Sequence, residues 1–197
     1  SESLEFPQGF VDGINAIESG GGDFFGVKFS DFTGVHGLPK VADMRDFQPF
    51  SEILGTANMF QTPSGTVSLY YAVEDLYLYD GINVLNTSMF EYRAKLQRIH
   101  GNLTNVTKIA DYAFYRCREL LEVPYMPMLD SIGMQAFRDC TALTKFTFYK
   151  TPSQTISESA FQGCTNIKDI YVPWAEGAVA NAPWGATNAT IHYNSEV

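Results

Sequence analysis

Apolar residues return along the chain in a frame of nearly constant length. Three segments, IADYAFYRC, IGMQAFRDC and ISESAFQGC, align on Ile109, Ile132 and Ile156 and on the pairs Ala113–Phe114, Ala136–Phe137 and Ala160–Phe161. They close on Cys117, Cys140 and Cys164. Past each cysteine an apolar residue follows three, six and eight positions on: Leu120, Val123 and Tyr125, then Leu143, Phe146 and Phe148, then Ile167, Ile170 and Val172. An upstream copy keeps the frame through Leu85, Met89–Phe90, Leu96 and Ile99, with Arg93 where the thiol belongs. A further copy shows Met59–Phe60 and then Val73, Leu76 and Leu78, with about seven extra residues between them. The residues that open each apolar run, Val73, Leu96, Leu120, Leu143 and Ile167, step by 23, 24, 23 and 24, which is a solenoid period.

Each copy holds two periodicities. Ile109, Ala113, Phe114, Cys117 and Leu120 fall at helical spacing, which predicts a helix of about two to three turns on one side of the coil. The residues that follow alternate, Ile170 inward, Tyr171 outward and Val172 inward, and Pro173 ends the run, which predicts a short strand on the other side. One coil cannot bury its apolar face alone. Coils therefore stack, and their strands form a parallel sheet at roughly 4.8 Å spacing.

The repeat resembles that of the BspA-like bacterial leucine-rich repeat family, which reads approximately I-x-x-x-A-F-x-x-C-x-x-L-x-x-I-x-L-P. The resemblance covers about residues 53–173 and is strong from Leu85 onward. It implies an α/β fold, a right-handed leucine-rich repeat solenoid of about five coils with caps at both ends. The segment IYVPWAEGAVANAPWGATNATIHYN resembles the closing unit of such repeats in proteins of tailed phages, prophages and gut Firmicutes. Arg93 in the cysteine slot, Gly101 at a core position and the insertion after Phe60 depart from the pattern, so the first two coils are expected to be less regular. The division expected is an acidic cap or attachment region at 1–52, the solenoid at 53–173 and a C-terminal cap at 174–197.

Charge separates the N-terminal region from the rest. Residues 1–52 hold nine acidic and three basic side chains, whereas Glu74 to Trp174 holds 11 acids and 10 bases. GGG at 20–22 marks a turn, and FFGVKF after it reads as a strand. The region caps the solenoid, since a terminal coil needs a polar outer face, or forms a small separate binding domain through which copies of the chain could associate. The whole chain carries 22 acidic against 13 Lys and Arg residues, a net charge of −9, which disfavours nucleic acid as a partner. With 45% hydrophobic, 14% aromatic and 18% charged residues, a folded body is expected. No apolar run reaches the roughly 18 residues needed to span a bilayer, and the start, SESLEFPQGF, lacks a leader pattern, so a soluble, trimmed product is expected.

Candidate chemistry is sparse. His36, His100 and His192 lie far apart and no carboxylate spacing suits zinc or calcium, so no metal or other cofactor is expected. Cys117, Cys140 and Cys164 share one inward slot, where a thiol acts as a small apolar filler, and a serine hydroxyl there is expected to lack a hydrogen-bond partner. A disulfide is disfavoured because aligned thiols rarely meet the required torsion. Neither G-x-S-x-G, a P-loop nor G-x-G-x-x-G after a strand occurs, so no catalytic residue is assigned and the chain is expected not to be an enzyme. The sequons at Asn86, Asn102, Asn105 and Asn188 carry no meaning outside a eukaryotic secretory chain.

Two outward patterns remain. The positions two after each run-opening residue are Asp75, Arg98, Glu122, Lys145 and Asp169, with alternating sign, and such neighbours fix the register of stacked strands. Further along the same strands lie Tyr77, Tyr79, His100, Asn102, Tyr149 and Tyr171, a set suited to binding a ligand. The predicted function is recognition without catalysis. By resemblance the chain would be a phage tail or fibre component, or a bacterial surface adhesin, binding a protein or cell-surface glycan through the strand face. It would then be found in the virion or outside the cell, with no insertion into a membrane. The competing readings are a structural assembly subunit and a glycan-processing activity in the N-terminal segment.

Overall fold

A computed structural model describes residues 27–46 and 70–196. The copy at Met59–Phe60, its insertion, the glycines at 20–22 and, of the expected N-terminal cap or association region, residues 1–26 and 47–52 lie outside the described residues. Among the described residues, ten short strands carry the architecture. Strand β1 (Lys28–Ser30) lies in the run expected to be extended and pairs antiparallel with β2 (Val41–Asp43). Strand β2 continues parallel to β3 (Asp75–Tyr77), and β3 to β5 (Arg98–His100). At the other end β8 (Lys145–Thr147), β9 (Asp169–Tyr171) and β10 (Thr190–His192) form a parallel set. A second parallel sheet joins β4 (Val84–Leu85), β6 (Lys108–Ile109) and β7 (Ser131–Ile132), and a bridge from Ile132 extends it to Ile156.

The coil's other side is not helical. Among the described residues there is no α-helix, and the A-F-x-x-C stretches are consecutive tight turns. The cause lies in the backbone: Ser88 and Tyr92, Tyr112 and Arg116, and Gln135 and Asp139 all adopt φ between +53° and +61°, four residues apart. A left-handed residue at that interval interrupts each turn before a second helical turn can form. The freed groups bond between coils instead. Phe90, Phe114 and Phe137 donate their backbone N–H to the carbonyls of Ala113, Ala136 and Ala160 at 2.7–2.8 Å. The helical spacing of the apolar residues is real, but it describes stacked turns.

The interior is a set of columns. Phe90, Phe114, Phe137 and Phe161 stack with centroid distances of 5.0, 4.9 and 5.3 Å and interplanar angles of 28°, 6° and 11°. Such spacing equals the strand-to-strand repeat, so one aromatic per coil makes a continuous apolar column. Beside it run Ile109 and Ile132, and Leu120, Leu143 and Ile167, all buried. Trp174 and Trp184 close the C-terminal end at 6.2 Å from each other, and the Trp184 Nε1–H donates to the Ala180 carbonyl at 2.8 Å. Arg93 occupies its cysteine slot among apolar neighbours. Burial lowers the pKa of its guanidinium, and its Nε has no hydrogen-bond partner.

One coil breaks the outer sheet. Glu122, Val123 and Pro124 hold the positions of a strand, yet none forms there, and the sheet divides between β5 and β8. Proline offers no N–H to the ladder. The side-chain alternation then slips by one: Tyr125, placed inward by the repeat, is 56% exposed, and Met126 is buried in its stead.

Candidate functional site

The strand face carries two copies of one arrangement. Tyr77 and His100 are register partners on β3 and β5, and their rings stack at 4.4 Å and 18°. The His100 Nε2–H donates to Asp75 Oδ1 at 2.7 Å. On β9 and β10, Tyr171 stacks on His192 at 4.6 Å and 13°, and the His192 Nε2–H donates to Asp169 Oδ1 at 2.7 Å. Each histidine is thus oriented by a carboxylate on the preceding coil and covered by that coil's tyrosine. Beyond Tyr77 the guanidinium of Arg45 lies 5.0 Å from the ring centroid, itself gripping Asp43 through two bonds of 2.9 and 2.6 Å. That grip holds the Asp43 carboxyl below its usual range.

Between these clusters the break at Pro124 opens a cleft of about 220 Å³. Its floor is apolar, with Val123, Met126, Leu129 and Phe146, while Glu122, Lys145, Thr147 and Tyr149 form the rim. Tyr149 meets Tyr125 edge to face at 4.6 Å and 79°. Burial, and then the neighbouring Tyr125, push the Tyr149 phenol up.

Not every outward assignment holds. Tyr79 is 6% exposed and belongs to the core, because the strand ends at Tyr77 and the alternation ends with it. Asn102 is exposed, but its Oδ1 accepts from the Thr104 N–H at 3.2 Å and the Thr104 hydroxyl at 2.6 Å, which ties it to its own turn. Within the charge row, Asp75 and Arg98 are register partners, as are Lys145 and Asp169. The carboxylates of Asp75 and Asp169 nevertheless bond to histidines, and Glu122 stands at the break. Sequence reasoning missed His192, Arg45 and Tyr125. The signal for His192 was Asp-x-Tyr on one coil followed by His at the tyrosine's place on the next, a pattern seen only after the coils are aligned.

The three cysteines are buried free thiols. Each donates to the backbone carbonyl of a phenylalanine one coil earlier: Cys117 to Phe90 at 3.1 Å, Cys140 to Phe114 at 3.1 Å and Cys164 to Phe137 at 2.8 Å. The slot therefore contains an acceptor, contrary to the sequence expectation for a hydroxyl there. Burial pushes the Cys117 thiol up to about 12 and that of Cys140 well above its ordinary value. Such groups stay protonated and are poor nucleophiles. Among the described residues no group of three or more His, Cys, Asp or Glu side chains is placed to hold a metal ion, and no helix is long and apolar enough to cross a membrane.

Residues 68–178 match the BspA type leucine rich repeat region in 6 copies. The chain belongs to the BspA-type leucine-rich repeat family. Among solved structures, this BspA-type chain is similar to a leucine-rich repeat protein of Treponema pallidum, with 19% identity and a TM-score of 0.51 over 63% of this chain and 57% of the treponemal one. A leucine-rich cell surface protein of Faecalibacterium prausnitzii gives 20% identity and 0.47 over 64% of this chain and 40% of that one. A leucine-rich repeat protein of Bacteroides ovatus gives 22% identity and 0.42 over 52% and 32%. The likeness to the treponemal protein is one of fold, and the BspA-type chain spans 57% of that protein's length. No curated protein matches the chain by sequence.

Proposed function

We propose that this BspA-type solenoid is a non-catalytic recognition module that binds a protein or cell-surface glycan through its outer strand face. The observation that carries the proposal is the cleft at Pro124, where an apolar floor meets an exposed tyrosine pair and two rim charges that make no ion pair with each other. Concave apolar surface with a few convergent polar groups is the usual form of a binding site. The Tyr77–His100 and Tyr171–His192 stacks extend that surface along the sheet with rings whose rotamers are already fixed. Such rings lose little entropy on binding.

The setting that fits is a bacterial surface adhesin or a phage tail or fibre component. In either, residues 27–46 would cap the first coil, since β2 covers the edge of β3 and β1 covers β2. A tagged chain and its Tyr125→Ala/Tyr149→Ala variant, applied to panels of extracellular proteins, glycans and intact bacteria, test the proposal. Wild-type signals that vanish in the double variant support the cleft. Signals retained in full by the double variant remove it.

A further inference from the structure

The turn side carries a second surface, independent of the strand face. The residue just before each cysteine slot has a left-handed backbone, and its N–H bonds to the next coil: Tyr92 to the Tyr115 carbonyl at 2.8 Å, Arg116 to Arg138 at 2.8 Å and Asp139 to Gln162 at 2.9 Å. Two adjacent rows result. One runs Tyr92, Arg116, Asp139, Gly163 and the other Glu91, Tyr115, Arg138, Gln162. The Arg116 guanidinium lies 5.7 Å from the Tyr92 ring centroid and 5.3 Å from that of Tyr115, and Arg138 lies 5.9 Å from Tyr115.

Both guanidinium groups point their Nε at one carboxylate. Arg116 Nε is 3.6 Å and Arg138 Nε 3.8 Å from Asp139 Oδ2, close enough to attract but too long for a hydrogen bond. Both Nε atoms are buried with no hydrogen-bond partner. Asp139 fits there because its neighbour is Gly163, where a Cβ would stand 2.1 Å from Asp139 Oδ1. One acid thus anchors the inner edges of two cations. Their side chains remain 40% and 34% exposed, and among the described residues no side chain bonds Arg116's outer nitrogens. Tyr92 beside them is 54% exposed.

We infer that this Tyr92–Tyr115–Arg116–Arg138 patch binds an acidic glycan, a pyranose that carries a carboxylate. The planar fork of arginine matches a carboxylate with two parallel bonds, and the ring faces of tyrosine accept the apolar C–H face of a sugar. Asp139 and Glu91 balance the two guanidinium charges of these rows, so the attraction for an acidic ligand rests on the exposed outer edge of Arg116 and not on a net charge. An acidic peptide fits less well. The N–H groups of the first row bond to carbonyls of the second row one coil on, and those of the second row close their own turns, so these groups offer no free edge for strand addition.

The test is calorimetric titration of the full chain with an oligogalacturonate, with the neutral galactose oligomer and a poly-glutamate peptide in parallel. The oligogalacturonate is expected to bind, to weaken with added salt and to lose about tenfold or more in affinity in Arg116→Gln, with smaller loss in Arg116→Lys. Tyr149→Ala on the strand face should leave it unchanged. Thermal unfolding of each variant separates loss of binding from loss of fold, and Tyr92→Ala provides a second, uncharged probe of the same patch. No oligogalacturonate binding, equal binding of the neutral oligomer, tighter binding of the peptide, or affinity that survives Arg116→Gln and Tyr92→Ala would each overturn the inference.

Discussion

The thiol of Cys140 donates to the carbonyl oxygen of Phe114 one coil earlier, at 3.1 Å. That oxygen also accepts the Cys117 N–H at 3.0 Å, so both of its lone pairs are used and two successive coils meet at three residues. The cysteine slot is therefore a stitch between coils as well as a filler. Cys140→Ser, which retains a donor for a waiting acceptor, should cost about 1 kcal/mol, and Cys140→Ala, which leaves a void and a half-satisfied carbonyl, about 2 kcal/mol. Chemical denaturation of both variants checks the order. A serine variant less stable than the alanine one would show that the acceptor does not help.

Thiol reactivity gives a second expectation. With all three cysteines buried, native protein should react slowly with a thiol reagent at pH 8 and release three free thiols once denatured. A single cysteine that labels fast in the folded state would contradict its place in the column.

The charge row predicts a salt-dependent effect. Lys145→Glu places an acid beside its register partner Asp169, with Glu122 on the same rim. The melting temperature should fall by about 1–2 °C at low ionic strength and recover in high salt, because these groups are exposed and readily screened. A shift that ignores salt would point to packing instead.

Acid stability has an identified contributor. The Lys150 ammonium bonds to Asp130 at 2.8 Å, and the Ser153 N–H and hydroxyl each bond to it at 2.7 Å, which together hold its carboxyl down to about 2. Since the folded value lies below the ordinary 3.8, the stabilisation is fully present above that pH and is lost as pH falls from 3.8 to about 2. Asp130→Asn should be less stable near neutrality and show a flatter decline across that window. Parallel acid-unfolding curves for the two proteins would exclude the assignment.

The period, the inward columns and the parallel stacking were legible because they depend on side-chain type at fixed intervals. Phe114 and Phe137 must lie one above the other in any structure with that period. The tight turns that stand where a helix was expected were not legible, since i, i+4, i+5 and i+8 spacing suits both, and left-handed φ at Tyr112 and Arg116 leaves no mark in residues that usually avoid it. Pro124 was visible as a strand breaker, but its consequence, the exchange of Tyr125 for Met126 in the core, depends on how the following turn closes. The Asp169–His192 contact joins residues a full coil apart, and only the register of β9 and β10 brings them together.

Recognition through the strand face is the central claim, and paired variants test it most directly. Wild-type chain, Tyr149→Ala/Tyr171→Ala and, as a control on the second sheet, Lys108→Ala should be compared for binding to one partner taken from the protein, glycan and cell panels. The tyrosine variant should lose affinity by about thirtyfold or more per anchoring ring while its unfolding midpoint stays near wild type, and Lys108→Ala should bind normally. If the tyrosine variant binds as wild type does and Lys108→Ala does not, the strand face is scaffold and the recognition surface lies on the opposite side of the solenoid.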